Sequence, residues 1–283
     1  RGLARLLEEV GVDIRTSAPV EEIEVAGGKT TAVRLADGER IPCRMVVANA
    51  DPRTVYGKMI DRKHRRKHTD GSVKRKRASM SLFVAYFGTK TTYPDLAHHT
   101  IVLGPRYKGL LDDIFDKRVL AEDFSLYLHA PTRSDPDLAP PGHENFYVLS
   151  PVPNNRSGLN WSELGEGYLE RIYAELERRG IPGLRENLVT SHFITPDHFE
   201  HELRSADGAA FGLEPVLTQS AWFRYHNRSE DVDGLFFVGA SVHPGAGLPG
   251  VLSTAKATER LIPRPDAGDE VPVPPPSTSK VAV

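Results

Sequence analysis

The hydrophobic pattern of the first 60 residues changes from a helical period to an alternating one. Apolar residues first recur at the spacing of one helix face, at Leu3, Leu6, Leu7 and Val10, and Gly11 is a suitable C-cap. Strand-like segments follow, at 12–16, 19–26, 29–35 and 40–48. The pairs Gly27-Gly28 and Asp37-Gly38 separate the later segments, as in β-hairpins. This part of the chain predicts one helix followed by a strand meander.

The middle of the chain, residues 78–210, mixes strand patterns with one long helical pattern. Apolar, aromatic-rich runs predict strands at Met80–Phe87, Ser125–His129 and Phe146–Val152. Residues 168–179 form one apolar helix face from Leu169, Ile172, Tyr173 and Leu176. Gly180 and Pro182 end this helix. We expect an antiparallel sheet packed against the helix, with most of the aromatic residues in its core.

The stretch Gly234–Ile262 has the pattern of a strand, a glycine-rich turn and a helix. Residues 234–239 are a short apolar run bounded by glycines, and residues 239–250 hold four glycines and two prolines. Good helix formers fill 250–262 until Pro263 stops the helix. A helix N-terminus offers free backbone N–H groups and a partial positive charge. This layout therefore suits a polar or anionic ligand.

Composition and charge exclude several classes of function. The chain has 283 residues, 39% hydrophobic and 26% charged, with a net charge of −2. These values are typical of a globular protein with no overall attraction to nucleic acid. No run approaches the roughly 18 apolar residues of a membrane span. The lone Cys43 excludes an internal disulfide and fits a reducing compartment. Because His98, His99, His198 and His201 lack the spacing of a known zinc motif, we expect no metal.

Residues Arg62–Arg77 form a basic segment with nine Lys or Arg and two His against one acid, Asp70. Such a run is usually a solvated, mobile surface segment. A nucleic-acid patch is disfavoured, because no aromatic residues interleave with the charges to stack on bases. The third interpretation is an electrostatic contact with anionic lipid, in which each basic residue near the membrane surface adds about 1 kcal/mol of binding free energy.

The order of residues in Gly234–Ile262 resembles the C-terminal FAD-binding signature of the phytoene desaturase family, the bacterial-type carotenoid desaturases within the amine-oxidase-like flavoproteins. Further stretches resemble the same family, at Ala18–Ile23, Met45–Pro52, Ser79–Val84, His98–Tyr107, Leu111–Phe115, Asp123–His129, Tyr147–Pro153, Gly208–Pro215 and Trp222–Asp231. The similarity covers residues 1–262. The family's Gly-x-Gly-x-x-Gly fingerprint does not occur on a strand-to-helix turn here. Because the chain also starts at Arg1 inside a helical pattern, we expect the C-terminal portion of a longer protein.

The resemblance implies FAD as the cofactor and a set of residues that hold it. The implied cofactor-binding residues are Val20, Ala48, Gly239, Ala240, Ser241, Gly247, Leu248, Pro249, Gly250 and Val251. In the family, 239–241 pass the ribityl and pyrophosphate groups, and 247–251 lie under the pyrimidine edge of the isoalloxazine. Val20 gives its backbone to the adenine, and the strand ending at Ala48 passes the adenosine. Gly250 is expected to have a positive φ where the backbone approaches the ring.

For the fold, the resemblance implies a mixed α/β (α+β) architecture, the C-terminal part of a two-domain FAD-binding fold of the glutathione-reductase type with an antiparallel-sheet substrate domain. The expected units are an FAD-binding part at 1–60, a basic surface segment at 61–77, a substrate and membrane side at 78–210, an FAD-binding strand–turn–helix at 211–263 and a disordered tail at 264–283. The N-terminal dinucleotide-binding segment is expected to be missing, and the chain alone is expected to be inactive.

The implied activity is FAD-dependent desaturation of phytoene in bacterial carotenoid biosynthesis, with hydride transfer from the polyene to the flavin. Because this substrate dissolves in membrane, the resemblance favours anionic lipid as the partner of Arg62–Arg77 and a cytoplasmic, peripherally membrane-associated protein. The catalytic residue stays open, with Arg106, Arg204 and Asp197 as candidates by polarity alone. The alternatives are a carotenoid isomerase or retinol-saturase-like flavoprotein, and a non-catalytic remnant.

Overall fold

The computed structural model describes residues 2–263 and confirms a mixed α/β composition. The strands are β1 Val20–Ala26, β2 Lys29–Leu35, β3 Arg40–Pro42, β4 Val46–Ala48, β5 Ser81–Thr89, β6 His99–Val102, β7 Leu126–His129, β8 Glu144–Val152, β9 Leu188–Ile194 and β10 Leu235–Phe237. The helices are α1 Gly2–Glu9, α2 Pro52–Thr54, α3 Asp70–Arg75, α4 Tyr107–Asp112, α5 Trp161–Arg179, α6 Leu184–Asn187, α7 Pro196–His201 and α8 Leu248–Glu259. Wider π-type turns extend α2 and α4, at Val55–Met59 and Asp113–Lys117. The predicted tail at 264–283 lies outside the described residues.

The first core forms between the N-terminal strands and the C-terminal strand. β1, β2 and β3 make an antiparallel sheet, whereas β4 pairs in parallel with β10. Ile23, Tyr56, Leu235 and Phe237 are buried together between these strands and the helical turn 52–59. Residues near both ends of the described chain therefore build one unit.

The second core lies between a five-stranded antiparallel sheet and α5. The strand order is β6-β7-β8-β5-β9, and β8 alternates between buried and half-buried positions along its whole length. Phe83, Phe87 and Phe146 pack against Ile172 and Tyr173 of α5. This arrangement confirms the predicted antiparallel sheet with a helix on one face.

Several predicted elements are wrong in extent. No strand forms at 12–16, and the run 40–48 divides between two sheets. Cys43 still donates its backbone N–H to Thr31, but Val46 donates to Gly234, so the chain changes partner between them. Helix α5 begins seven residues before the predicted start, and α8 begins at Leu248, since proline is tolerated in a first helical turn. Strands β6 and β9 and the short helices after β4 were not predicted.

The basic segment Arg62–Arg77 is partly built into the first core, so the interpretation as a solvated surface segment does not apply to its middle. The His68 ring is buried and stacks on Tyr56 with a centroid distance of 4.1 Å. The Asp231 carboxylate, 1% exposed, accepts hydrogen bonds from the backbone N–H groups of Arg66, Lys67 and His68 at 2.7–2.9 Å. His68 Nδ1 also lies 2.9 Å from this carboxylate.

These contacts set the protonation of Asp231. Burial alone would raise the pKa of this carboxyl, but the hydrogen bonds from Lys67 and His68 outweigh burial and lower the pKa below its usual range. A lowered pKa in the folded state means that the ionised carboxylate stabilises the fold. The stabilisation is complete above the unfolded pKa of about 4 and is lost as the pH falls through the folded value.

Replacing Asp231 with Asn should therefore lower the free energy of unfolding at neutral pH by about 2–4 kcal/mol, since a hydrogen bond to a charged group contributes about 1.5–3 kcal/mol. Urea denaturation measures this change. The matched control is Asp233→Asn, because Asp233 is half exposed and makes only surface ion pairs to Lys29 and Arg228. The control should change stability by less than about 1 kcal/mol.

The pH dependence of this stability difference distinguishes the loss of a charged carboxylate from a packing defect. The stability difference between wild type and Asp231→Asn should shrink as the pH falls below about 4. A difference that stays constant down to about pH 2, or an equal effect of Asp233→Asn, would contradict the assigned role of the carboxylate.

Candidate functional site

The parallel pair β4–β10 brings two predicted site segments together. Phe237 is opposite Ala48, and the Val238 N–H donates to the Ala48 carbonyl at 3.0 Å. Both strands end at this point, and ligands of α/β folds commonly bind beyond the carboxyl ends of parallel strands. Gly239 follows with a φ of +102°, and a Cβ there would clash with Asn49 Oδ1. Only glycine fits at this position.

Two buried threonines fix α8 against the end of β10. Thr254 Oγ1 accepts the Gly239 N–H at 2.8 Å, and Thr258 Oγ1 donates to the Phe237 carbonyl at 2.9 Å. Both side chains are buried. The sequence pattern of the helix did not reveal this role, because threonine is a poor helix former that gives no signal of its partner. The helix is thereby held with its N-terminus beside the strand end.

The glycine turn (residues 239–247) leads into the uncapped N-terminus of α8. Gly247 occupies the N-cap with a φ of +92° and provides no side-chain cap, and Leu248 is 76% exposed. A Cβ on Gly250 would lie 2.6 Å from the Gly245 carbonyl oxygen. Gly250 itself has a negative, helical φ, so the expected positive φ was wrong. Its constraint is the close approach of two backbone segments.

Ser241 is linked to a buried ion-pair network. Its hydroxyl donates to Asp51 Oδ2 at 3.1 Å, and Asp51 pairs with Arg53 at 2.9 Å. Arg53 also pairs with Asp207 at 2.9 Å. Burial alone would lower the pKa of Arg53, but the charge of Asp51 outweighs burial and raises the pKa. The Ser241 hydroxyl is therefore engaged within the protein, as are the Gly239 N–H and the Ala240 carbonyl.

Arg224 lies beneath the glycine turn and was not predicted as a site residue. Its Nη2 donates to the Ala240 carbonyl at 2.7 Å, and its guanidinium packs against Gly245. Burial lowers the pKa of Arg224, and Asp51 opposes this effect. Its buried Nε has no hydrogen-bond partner in the part of the chain that the structure describes. A buried donor without a partner is uncommon and is a feature of ligand sites.

Val20 lies at a separate cavity of about 560 Å³. Three cations, three acids and one histidine line this cavity, namely Arg53, Lys58 and Arg204, Glu21, Glu200 and Asp207, and His201. Arg204 Nη1 donates to the Val20 carbonyl at 3.4 Å. Arg53 borders the cavity and also contacts Asp51, so Val20 is connected to the glycine turn only indirectly.

The other two candidates by polarity are engaged elsewhere. Arg106 pairs with Asp113 at 3.0 Å and with Asp123, beside α4. Asp197 on α7 accepts a hydrogen bond from Asn155 at 3.1 Å. These pairings are structural, and they give no reason to choose either residue as a catalytic group.

The residues around the glycine turn fit a ligand with polar and anionic edges. The α8 N-terminus supplies backbone donors and a partial positive charge. Arg224 supplies a buried positive charge with an unused donor, and the glycines allow close backbone approach. A flavin nucleotide has edges of this kind in its pyrimidine ring and its pyrophosphate.

The chain is similar to a family of flavin-containing proteins and to several phytoene desaturases. The family described as flavin containing amine oxidoreductase matches residues 1–260. A phytoene desaturase (lycopene-forming) from Pseudescherichia vulneris is 47% identical over 92% of this chain and 53% of its own length. A phytoene desaturase (neurosporene-forming) from Rhodobacter capsulatus is 45% identical over 92% of this chain and 51% of its own length.

Solved structures show the same fold. The crystal structure of an oxidoreductase from Methanosarcina mazei superposes with a TM-score of 0.59 at 17% identity, covering 91% of this chain and 52% of that one. The chain thus spans about half the length of the relatives that it matches. These comparisons do not support the expectation that the chain is the C-terminal portion of a longer protein and lacks its N-terminal dinucleotide-binding segment. With a match over residues 1–260, the chain belongs to the flavin-containing amine oxidoreductase family.

Proposed function

We propose that this chain acts within an FAD-dependent phytoene desaturase. The observation that carries the proposal is the identity of 47% and 45% to two phytoene desaturases over 92% of the chain. These two relatives are named for different products, lycopene and neurosporene, but for the same substrate. The proposal therefore covers the substrate and the type of reaction and leaves the number of desaturation steps open.

In this proposal the glycine turn and α8 hold the flavin end of FAD. When bound, FAD supplies the acceptor for the hydride that leaves the polyene. Residues 247–251 would present the N-terminal N–H groups of α8 to the pyrimidine edge, where donors are most effective if negative charge develops. The backbone of 239–241 would hold the ribityl and pyrophosphate groups, and Ala48 and Val20 would hold the adenosine.

Arg224 has a positioning role in the same proposal. It holds the Ala240 carbonyl at 2.7 Å and thereby fixes the strand end that faces the cofactor. Its charge is buried, so its field is screened less by water than that of a surface arginine. A fixed positive charge beneath the turn favours a cofactor that gains negative charge on reduction.

The basic segment Arg62–Arg77 is proposed to rest on anionic membrane, together with an apolar loop that the sequence analysis did not connect with it. Leu217, Trp222 and Phe223 are 83%, 75% and 60% exposed. Lys76 Nζ donates to the Phe223 carbonyl at 3.5 Å, so this loop lies beside the basic segment. Exposed aromatic residues next to cations are typical of surfaces that insert into the headgroup region.

Fewer cations of this segment are available to contact lipid than the nine Lys and Arg residues counted in the sequence. Lys63 and Arg65 are paired with nearby acids, and Lys67 and Arg77 are paired with Glu230 and Glu214, which are distant in the sequence. Within Arg62–Arg77, the exposed cations that form no ion pair with any of residues 2–263 are Arg62, Arg66, Lys74 and Arg75. None of the described helices is long and apolar enough to cross a membrane. The proposed contact is therefore a peripheral one.

Product analysis tests the proposed reaction. The flavin-loaded protein incubated with phytoene should yield products that have lost hydrogen, two atoms per step, and that absorb at longer wavelength. Mass spectrometry and absorbance spectra distinguish the outcomes. Products of unchanged mass would identify an isomerase, and unchanged phytoene under conditions in which the flavin is bound would contradict a catalytic role.

Sedimentation with lipid vesicles tests the membrane contact. The double variant Arg66→Gln/Lys74→Gln should bind vesicles containing anionic lipid about 10–30-fold more weakly, since each charge contributes about 1 kcal/mol. Trp222→Ala should weaken binding further by removing an interfacial anchor. The control is Lys90→Gln, because Lys90 follows the far end of β5, about 30 Å along this strand. Equal binding to neutral vesicles, or an equal loss in the control, would rule out the proposed surface.

A further inference from the structure

Three histidines from neighbouring strands converge at one edge of the five-stranded sheet. His98 immediately precedes β6, His99 is the first residue of β6, and His129 is the last residue of β7. The antiparallel register places His99 directly opposite His129. One ring nitrogen from each of the three histidines lies within 4.8 Å of the others, and His98 Nε2 and His129 Nε2 are 2.9 Å apart.

Hydroxyl groups hold two of these rings from behind. The Tyr127 hydroxyl lies 2.7 Å from His99 Nδ1, and the Ser134 hydroxyl lies 3.3 Å from His98 Nδ1. Metal-binding histidines usually have such a partner on the nitrogen that faces away from the metal, where it fixes the tautomer and the ring orientation. The Nε2 atoms of His98 and His99 are the ones left to face the third ring.

His129 is poorly satisfied by protein groups alone. Its Nδ1 is buried without a hydrogen-bond partner among the residues that the structure describes. Each neutral imidazole has one N–H donor and one acceptor nitrogen, so three adjacent rings compete for few donors. A cation shared by the three rings would bind their acceptor nitrogens.

We infer that His98, His99 and His129 form a binding site for a divalent transition metal of the zinc class. Zn–N distances of about 2.0–2.1 Å in a tetrahedral site place ligand nitrogens about 3.3–3.4 Å apart. The present separations, 2.9 Å for one pair and at most 4.8 Å for the others, bracket that value.

The ligand set selects the type of metal. Three imidazoles without a carboxylate suit Zn²⁺, Ni²⁺ and Cu²⁺, whereas Mg²⁺ and Ca²⁺ require oxygen ligands. Three protein ligands leave one position of a tetrahedral ion open to water or another ligand. The inference is independent of the proposed desaturase activity, because it uses no residue of the glycine turn or of α8.

The position of the site gives it a structural consequence. β6 is the edge strand of the sheet and has only four residues. A metal held by His98 and His99 on one side and by His129 on the other would fasten this edge strand to β7. The site lies on the face of the sheet away from α5, beside Tyr147, whose ring centroid is 5.0 Å from that of His129.

Calorimetric titration of ZnCl₂ into the chain, without a polyhistidine tag, tests the inference. Wild type should bind one equivalent of Zn²⁺. His99→Ala should weaken binding by at least about 100-fold, because losing an outer hydrogen-bond partner of a ligand already costs about 10–100-fold. Tyr127→Phe should weaken Zn²⁺ binding by about 10–100-fold. The matched control is His192→Ala on β9 of the same sheet, which should bind Zn²⁺ as wild type does.

Cobalt substitution gives a second readout that a folding defect would not imitate. Co²⁺ should produce the intense visible absorption of a tetrahedral ion in wild type and in His192→Ala, and this band should be lost in His99→Ala. Far-UV circular dichroism confirms that the variants are folded. No saturable Zn²⁺ binding, an unchanged affinity in folded His99→Ala, or an equal loss in His192→Ala would overturn the inference.

Discussion

Parallel pairing of two three-residue strands, β4 and β10, is the contact on which the candidate site depends. It joins Ala48 to Phe237 and so brings Asp51 within 3.1 Å of Ser241, 190 residues further along the chain. Such short strands contribute few ladder hydrogen bonds. The junction is therefore strengthened by the buried hydroxyls of Thr254 and Thr258, which bind α8 to the strand end. The uncapped helix N-terminus and the glycine turn take their positions from these bonds.

A buried ion-pair network connects this junction to the second core. Arg53, 3% exposed, pairs with Asp51 on the junction side and with Asp207 on the other, and Asp207 also pairs with Arg156. The adjacent Gly208 accepts a hydrogen bond from Ser81, the first residue of β5. Removing one partner of a buried pair costs about 3–5 kcal/mol. The network thus links the β4–β10 junction, where we propose that the cofactor binds, to the five-stranded sheet, which is proposed to form the substrate domain.

The parts of the fold that were predictable from the sequence are those with local signals. Gly27-Gly28 predicted the β1–β2 hairpin, an apolar, aromatic-rich run predicted most of β8, and the glycine pattern predicted the strand, turn and helix at 234–262. The features that the sequence did not predict depend on contacts between residues far apart in the sequence. The count of charges in Arg62–Arg77 could not show that Asp231 would bury His68. Likewise, His129 meets His98 and His99 only through strand register, and Arg224 reaches Ala240 only after β10 has docked.

The most direct test of the account is the affinity of the protein for FAD after a single methyl group is added at Gly250. The account predicts that Gly250→Ala weakens FAD binding by at least about tenfold, or 1.4 kcal/mol. The added Cβ would lie 2.6 Å from the Gly245 carbonyl and force the turn away from the helix. Gly167→Ala in α5, where a Cβ meets nothing within 4 Å, controls for the substitution and should bind FAD as wild type does. Equal FAD affinity in all three proteins, measured by quenching of flavin fluorescence, would contradict the assignment of the flavin to this junction.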